Sequence, residues 1–413
     1  MSKTDSGSGA EAKLARHIGL PLLTFYGLGT ILGAGIYVLV GKVAAAAGLL
    51  APIAFLIAAL VAGVTALSYA QLVVLFPRSA GEAYYVNQGF QVSFLTKLVG
   101  YLVILTGIVS AATLANGFVG YFSSFLELPR FAVITVVVLI MGLIALWGIA
   151  ESLWLAALIT LIELGVGGLL LVVVLGGESL AEFPKQWQSL LIPSAYVELG
   201  MILSGAFLAF YAFIGFEDMV NVVEEVRQPQ DTMPKAILLA LMISSAMYFL
   251  VAVVALLGLP LDQLSASDAP LRDLLEVEHP LAGQLIGGIS LFAIINGVLI
   301  QIIMASRVLY GMADQGSAPS VLANVWSVTR TPWLATLVVV ALLLVFALWL
   351  PLVTLAKTTS FVILVIFTLV NIALWVLLRQ ERVEKAVRLP CWPIFGAMLC
   401  LGLLLFQLSS LLS

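Results

Sequence analysis

Two short stretches of this chain place unusual residues in apolar surroundings. The first reads Gly27-Leu28-Gly29-Thr30-Ile31-Leu32-Gly33-Ala34-Gly35-Ile36-Tyr37, with four glycines in nine positions. Glycine costs about 1 kcal/mol relative to alanine in a helix interior, so the cluster weakens a helix at one defined place. The second reads Phe210-Tyr211-Ala212-Phe213-Ile214-Gly215-Phe216-Glu217-Asp218 and combines one glycine, four aromatics and two carboxylates. A helix interrupted at such points frees amide N–H groups at the start of its second half and carbonyls at the end of its first half. The amides of Gly33, Ala34 and Gly35 would then attract an anion such as a carboxylate. The carbonyls of Ile31, Tyr211, Ala212 and Ile214 would attract an ammonium group. A ligand with both groups on one carbon is an α-amino acid, and glycine at 33 and 35 keeps side chains out of its way. A close helix-packing face of the GxxxG type asks for the same glycines, and the sequence leaves both readings open. Thr30, Tyr37, Asn116, Phe213, Phe216 and Asn296 are candidates for the wall of such a pocket.

Carboxylates inside an apolar run are costly and by default functional. Glu163 stands in Thr160-Leu161-Ile162-Glu163-Leu164-Gly165, and Glu217 follows directly on the second glycine break. Both are expected to couple the site to protonation or gating, with Asp218 in a structural part. A neutral, hydrogen-bonded Glu163 would be the plain structural alternative. Sodium coupling would want several oxygen ligands, whereas between Ser290 and Ser306 the chain offers only Asn296 and Gln301. A proton is therefore favoured over sodium, with Asn296 as a further coupling candidate.

The elements that must carry these residues follow from composition. Of 413 residues, 62% are apolar and 10% are charged, with a mean hydropathy of +1.16. A soluble domain needs roughly 25% charged residues to cover its surface. A large soluble catalytic domain, a nucleic-acid binder and a secreted disulfide scaffold are thereby excluded, and Cys391 and Cys400 build neither a disulfide framework nor a metal motif. Eleven apolar runs, near 19–47, 51–75, 95–125, 131–149, 152–176, 198–225, 236–258, 281–312, 333–350, 353–378 and 393–412, are each long enough to be a transmembrane helix or close to it. They are continuous rather than alternating in polarity, which favours helices over a barrel. With the N-terminus cytoplasmic, Lys and Arg divide thirteen inside to five outside, as the positive-inside rule asks. The expected class is an all-α integral membrane protein with 11 transmembrane helices, broken in helices 1 and 6. Breaks about five spans apart point to an inverted repeat with a site at mid-membrane. The division is then a cytoplasmic tail 1–18, repeat 1 over 19–176, an external loop 177–197, repeat 2 over 198–378, and a cytoplasmic loop with helix 11 over 379–413.

The residues resemble the amino acid-polyamine-organocation transporter family over most of the chain. Gly29-Thr30-Ile31-Leu32-Gly33-Ala34-Gly35-Ile36-Tyr37 is similar to its first-helix motif. Ser68-Tyr69-Ala70-Gln71-Leu72, continuing through Phe76-Pro77-Arg78-Ser79-Ala80-Gly81-Glu82-Ala83-Tyr84, is similar to its second-helix end and following loop. Phe213-Ile214-Gly215-Phe216-Glu217 with Asn221, Glu224, Glu225, Pro229 and Pro234 resembles its helix 6 to 7 signature. Ser306-Arg307-Val308-Leu309-Tyr310-Gly311-Met312-Ala313 with Gly316 and Pro319 resembles the end of its eighth helix. The resemblance implies a LeuT-like 5+5 inverted repeat and alternating access around a central amino-acid site. It places the substrate carboxylate on the amides of Gly33, Ala34 and Gly35, and its amine on the carbonyls of Ile31, Tyr211, Ala212 and Ile214. Several relatives carry a lysine where Glu163 stands, and Gln71 replaces a frequent glutamate.

The expected function is that of a secondary carrier for amino acids in a bacterial inner membrane, coupled to protons by symport or exchange. An amino-acid sensor on the same scaffold and a sodium-coupled carrier are the alternatives. An enzyme is not expected, since His17 and His279 are isolated and no His, Asp or Cys cluster faces one membrane edge. Neither a cofactor nor a metal is called for; the partners are the amino acid, a proton and lipid, with the chain a monomer or a homo-oligomer. With no acid placed in the pocket, neutral substrates are favoured, and cationic ones would have to use Glu163 or Glu217.

Overall fold

The computed structural model describes residues 16, 18–78, 81–147, 153–176, 196–276, 280–380 and 391–412. Among them the backbone is helical with no strand; a single isolated bridge joins Ile18 to Val226. The helices are α1 (Leu20–Ala47), α2 (Ala51–Leu75), α3 (Gly81–Phe90), α4 (Ser93–Ser123), α5 (Arg130–Trp147) and α6 (Leu153–Gly176). After them come α7 (Tyr196–Ala209), α8 (Pro229–Gly258), the short α9 (Leu261–Ala266) and α10 (Pro270–Glu276), α11 (Pro280–Asp314), α12 (Trp333–Trp349), α13 (Leu352–Arg379) and α14 (Trp392–Leu412). Proline opens several of them: it lies in the first turn of α1, α2 and α8. Its missing N–H falls there on a position that has no intrahelical acceptor anyway.

Length and apolarity qualify eight segments among the described residues to cross a membrane. The expected count of eleven is thus not reached on that measure. Gly35–Leu75 counts through a short 3-10 turn at Gly48–Leu50 as one 41-residue segment, while Thr160–Leu170 within α6 and Trp333–Trp349 count as shorter apolar helices. The expected tail 1–18, external loop 177–197 and loop after 379 fall largely outside the described residues, as do Ser79, Ala80, His17 and His279.

Helix α1 lies at the centre, packed on α8, α7, α6 and α11 and covered at its C-terminal end by α9 and α10. Helix α4 packs along α11, α13 and α12. Helix α14 is held at the edge by α13 and α2 through a buried polar knot. There the Asn371 amide donates to Thr65 Oγ1 at 3.0 Å and its oxygen accepts from Ser68 Oγ at 2.6 Å, while Thr65 meets Cys400 Sγ at 3.6 Å. Such bonds satisfy groups that apolar surroundings would otherwise leave unpaired.

One expectation is overturned here. Helix α1 runs unbroken from Leu20 to Ala47, through the whole glycine cluster. The glycines serve approach instead of interruption: a Cβ on Gly35 would lie 2.9 Å from Ala212 Cα, and one on Gly27 would meet the Met219 thioether. No proline removes an amide within the cluster, so the i to i−4 bonds persist despite the low helix propensity of glycine.

Candidate functional site

The break expected near Gly215 is present. Helix α7 ends at Ala209, a 3-10 turn covers Phe210–Phe213, and Ile214 is extended at φ −66°, ψ 133°. Gly215 then takes φ 129°, and a second 3-10 stretch runs over Phe216–Glu225. L-residues avoid that φ, so glycine is required. The reversal also brings Gly215 against the Thr30 carbonyl, leaving no room for a Cβ. Glu217 is 5% exposed and folds back on the break, its Oε2 accepting from the Gly215 amide at 2.9 Å.

The interrupted backbone releases the Ala212 carbonyl, and a residue that sequence reasoning missed joins it to a carbonyl of α1. Tyr248, on α8 and fully buried, donates its hydroxyl to the carbonyls of Ile31 and Ala212, the latter at 2.8 Å. Its ring stands edge-on to Phe213 with centroids 5.0 Å apart. A buried tyrosine hydroxyl seeks a partner; a lone tyrosine in the apolar α8 was the available signal. Two carbonyls from different segments thus converge on one donor, as they would on an ammonium group.

Beside this junction lies a cleft of about 530 Å³, its open mouth included. Ile31, Gly35, Tyr211, Ala212 and Ile214 line it, all expected at the site, together with Thr30 and Asn296. Ser110, Asp218 and Gln301 line it as well and were not expected there. Tyr211 donates to the Ser110 carbonyl at 3.1 Å, and the two hydroxyls pair at 3.0 Å. Thr30 Oγ1 donates to the Gly27 carbonyl at 2.9 Å. Gln301 Oε1 is buried with no hydrogen-bond partner. Gly33 and Ala34 belong to α1, but their surroundings are outside the described residues.

The other wall candidates lie elsewhere. Phe213 packs on Tyr248, and Phe216 sits in an aromatic cluster with Tyr69 and Phe367. Asn116 accepts from Arg130 and donates to the Ala347 carbonyl at 3.0 Å, tying α4 to α5 and α12. Tyr37 lines a second, mostly apolar cavity of about 290 Å³, with Leu32 and Ile36 of α1, Glu163 of α6 and Met247 and Val251 of α8. Glu163 is 5% exposed, and its Oε2 has no hydrogen-bond partner. Among the expected coupling residues, Asn296 lies in the cleft, Glu217 at the break and Glu163 in this separate cavity, against the α1 face that also presents Tyr37.

Comparison with known proteins follows the same lines. A family described as amino acid permease matches residues 18–410. The branched-chain amino acid permease BcaP of Bacillus subtilis is 27% identical, covering 97% of this chain and 90% of its own length. The methylthioribose transporter of the same organism is 28% identical, with 97% and 90% covered. The vacuolar cationic amino acid transporter 2 of Arabidopsis thaliana is 28% identical over 91% of this chain, which spans 62% of that protein's length.

Proposed function

The chain belongs to the amino acid permease family, a family of multi-pass membrane transporters rather than enzymes, and from that premise we propose a proton-coupled secondary carrier working by alternating access. The observation that supports it best is the convergence of the Ile31 and Ala212 carbonyls on a single donor beside a polar cleft. The substrate ammonium replaces the Tyr248 hydroxyl at these carbonyls and also takes those of Tyr211 and Ile214. The substrate carboxylate takes the amides of Gly33, Ala34 and Gly35 once α1 opens at its glycine cluster. The low helix propensity there, about 1 kcal/mol per glycine, lets binding energy drive that opening. The 5+5 repeat of eleven spans, the cytoplasmic N-terminus and the bacterial inner membrane belong to the same reading.

Glu163 and Glu217 carry the proton. Each is enclosed in protein, and neither has a basic partner among the described ion pairs. Glu163 stands behind α1, so its charge state bears on the helix that must open.

The experiment is uptake of radiolabelled amino acids into proteoliposomes, with an imposed pH gradient and with or without sodium. Accumulation should follow the pH gradient and ignore sodium, and Glu163→Gln should flatten the gradient dependence. Sodium-driven uptake, or an unaltered gradient dependence in Glu163→Gln, would refute the coupling. Normal uptake by Gly35→Val would refute the α1 site.

A further inference from the structure

The cleft is lined by two unlike sets of groups. Near the junction it offers backbone groups from α1 and the broken segment, at Ile31, Gly35, Ala212 and Ile214. It also offers polar side chains, among them Asp218, Asn296 and Gln301. Asp218 stands one turn past the junction, its amide donating to the Gly215 carbonyl at 3.2 Å. On the facing helix α11 the lining runs from Ala293 to Gln301, about 12 Å at ~1.5 Å per residue. A substrate held at the junction therefore shares one cleft with Asp218 and Gln301.

Asp218 gives the cleft an acid, and Gln301 gives it an unpaired acceptor. The hydroxyl donors around the cleft are committed: Ser110 pairs with Tyr211, and Thr30 bonds the Gly27 carbonyl. Gln301 Oε1 is a buried acceptor with no partner, and the carboxylate of Asp218 only accepts. It is the negative charge of Asp218, not a vacant lone pair, that matters. An apolar side chain placed there leaves Gln301 unsatisfied and desolvates a charge, both of which cost free energy. An ammonium or guanidinium satisfies both groups at once and forms a charge-assisted hydrogen bond.

We propose that the cleft selects basic amino acids, of the lysine, ornithine and arginine type, with Asp218 and Gln301 receiving the side-chain cation. The inference rests on the carrier reading and deepens it. It moves the specificity acid from Glu163 or Glu217 to Asp218, and reverses the preference for neutral substrates that the sequence suggested.

The test is equilibrium binding to the purified full chain in detergent, by calorimetry, with lysine compared against norleucine, which has the same four-carbon stem without the charge. The wild type should bind lysine at least tenfold more tightly than norleucine. Asp218→Asn should lose most of that ratio while keeping norleucine affinity within about twofold. Gln301→Leu, of similar volume, should reduce lysine affinity several-fold and spare norleucine. Thermal unfolding without ligand confirms that each variant is folded. Equal affinities in the wild type, or an unchanged ratio in Asp218→Asn, would overturn the selectivity and leave the carrier standing. Binding of neither amino acid, nor of any other in a panel of twenty, would overturn the carrier reading and this inference with it.

Discussion

Tyr248 has one hydroxyl proton, and two buried carbonyls, of Ile31 and Ala212, share it. Removing the hydroxyl takes this donor from both, leaving the Ile31 carbonyl its helical bond alone, at a cost of about 1–3 kcal/mol. Tyr248→Phe should therefore unfold at lower temperature than the wild type, and a saturating amino-acid substrate should restore part of the difference, because its ammonium supplies the missing donors. Equal destabilisation with and without substrate would show that the ammonium does not reach these carbonyls. A second residue carries the pH prediction. Glu82, in the loop helix α3, is 8% exposed and accepts from the Tyr69 hydroxyl at 3.3 Å. Burial raises its carboxyl pKa, while its backbone and Tyr69 hydrogen bonds pull the other way. A carboxyl with a raised pKa in the folded state binds more protons folded than unfolded. Its stabilising contribution is thus present at acid pH and lost as the pH rises through the folded-state value. Glu82→Gln should flatten that part of the stability curve, read as unfolding midpoints over a pH series; an unchanged slope would count against it.

At the level of elements, two glycine-bearing segments behave differently. The span-6 segment breaks because Gly215 holds φ 129°, and the carbonyls around it are then free to bond outside the helix. Helix α1 has more glycine and does not break, because its glycines are in contact with Ala212 and Met219. Low propensity permits an interruption but does not impose one, and packing decided the outcome. Gly215→Ala forces a side chain into both a forbidden φ and the Thr30 carbonyl. It should cost more than about 1 kcal/mol in stability and abolish uptake. Gly402→Ala in α14, where a Cβ meets nothing within 4 Å, is the matched control and should leave uptake unchanged. Uptake by Gly215→Ala at the wild-type level would mean that the break has no part in transport. The break was legible beforehand, since a glycine among aromatics and acids in an apolar run has few other uses. The continuity of α1 was not, because packing and interruption ask for the same residue type.

On the scale of the whole molecule, α1 is tied down at both ends. Before its first turn, Ile18 exchanges backbone bonds with the end of the broken span, donating to the Glu225 carbonyl at 3.1 Å and accepting from Arg227 at 2.9 Å. At its far end Lys42 reaches the loop before α10, with Asp268 Oδ1 and the Ser267 carbonyl each 3.1 Å away. The alternating access proposed above would require such ties to release in turn, so each should be weak. The Asp268 side chain is 75% exposed, and pairs of this kind contribute about 0–1 kcal/mol and are screened by salt. A double-mutant cycle with Lys42→Met and Asp268→Asn should give a coupling below about 1 kcal/mol in thermal stability, smaller still at high salt. Uptake rates of the single variants should change more than their stabilities do. A coupling of several kcal/mol would describe a permanent brace and not a latch.

Composition and run length alone determined that the chain lies in a membrane and is helical, because 62% apolar residues cannot be hidden in water and lipid leaves backbone groups no partner but one another. Local pattern also located the break at Gly215 and named Ile31, Tyr211, Ala212 and Ile214 as candidates for one site. What it could not supply was any contact between distant segments. Tyr248 and Ile31 are 217 residues apart, and no local period links them. Asp218 looked structural from its place in the sequence and faces the cleft only because the 3-10 winding after Gly215 turns it there. Glu163 was recognisable as an acid in lipid, but its separation from the cleft depended on which face of α1 each helix meets. A sequence states which groups are present and how strongly each resists burial; which of them share a space is settled by packing.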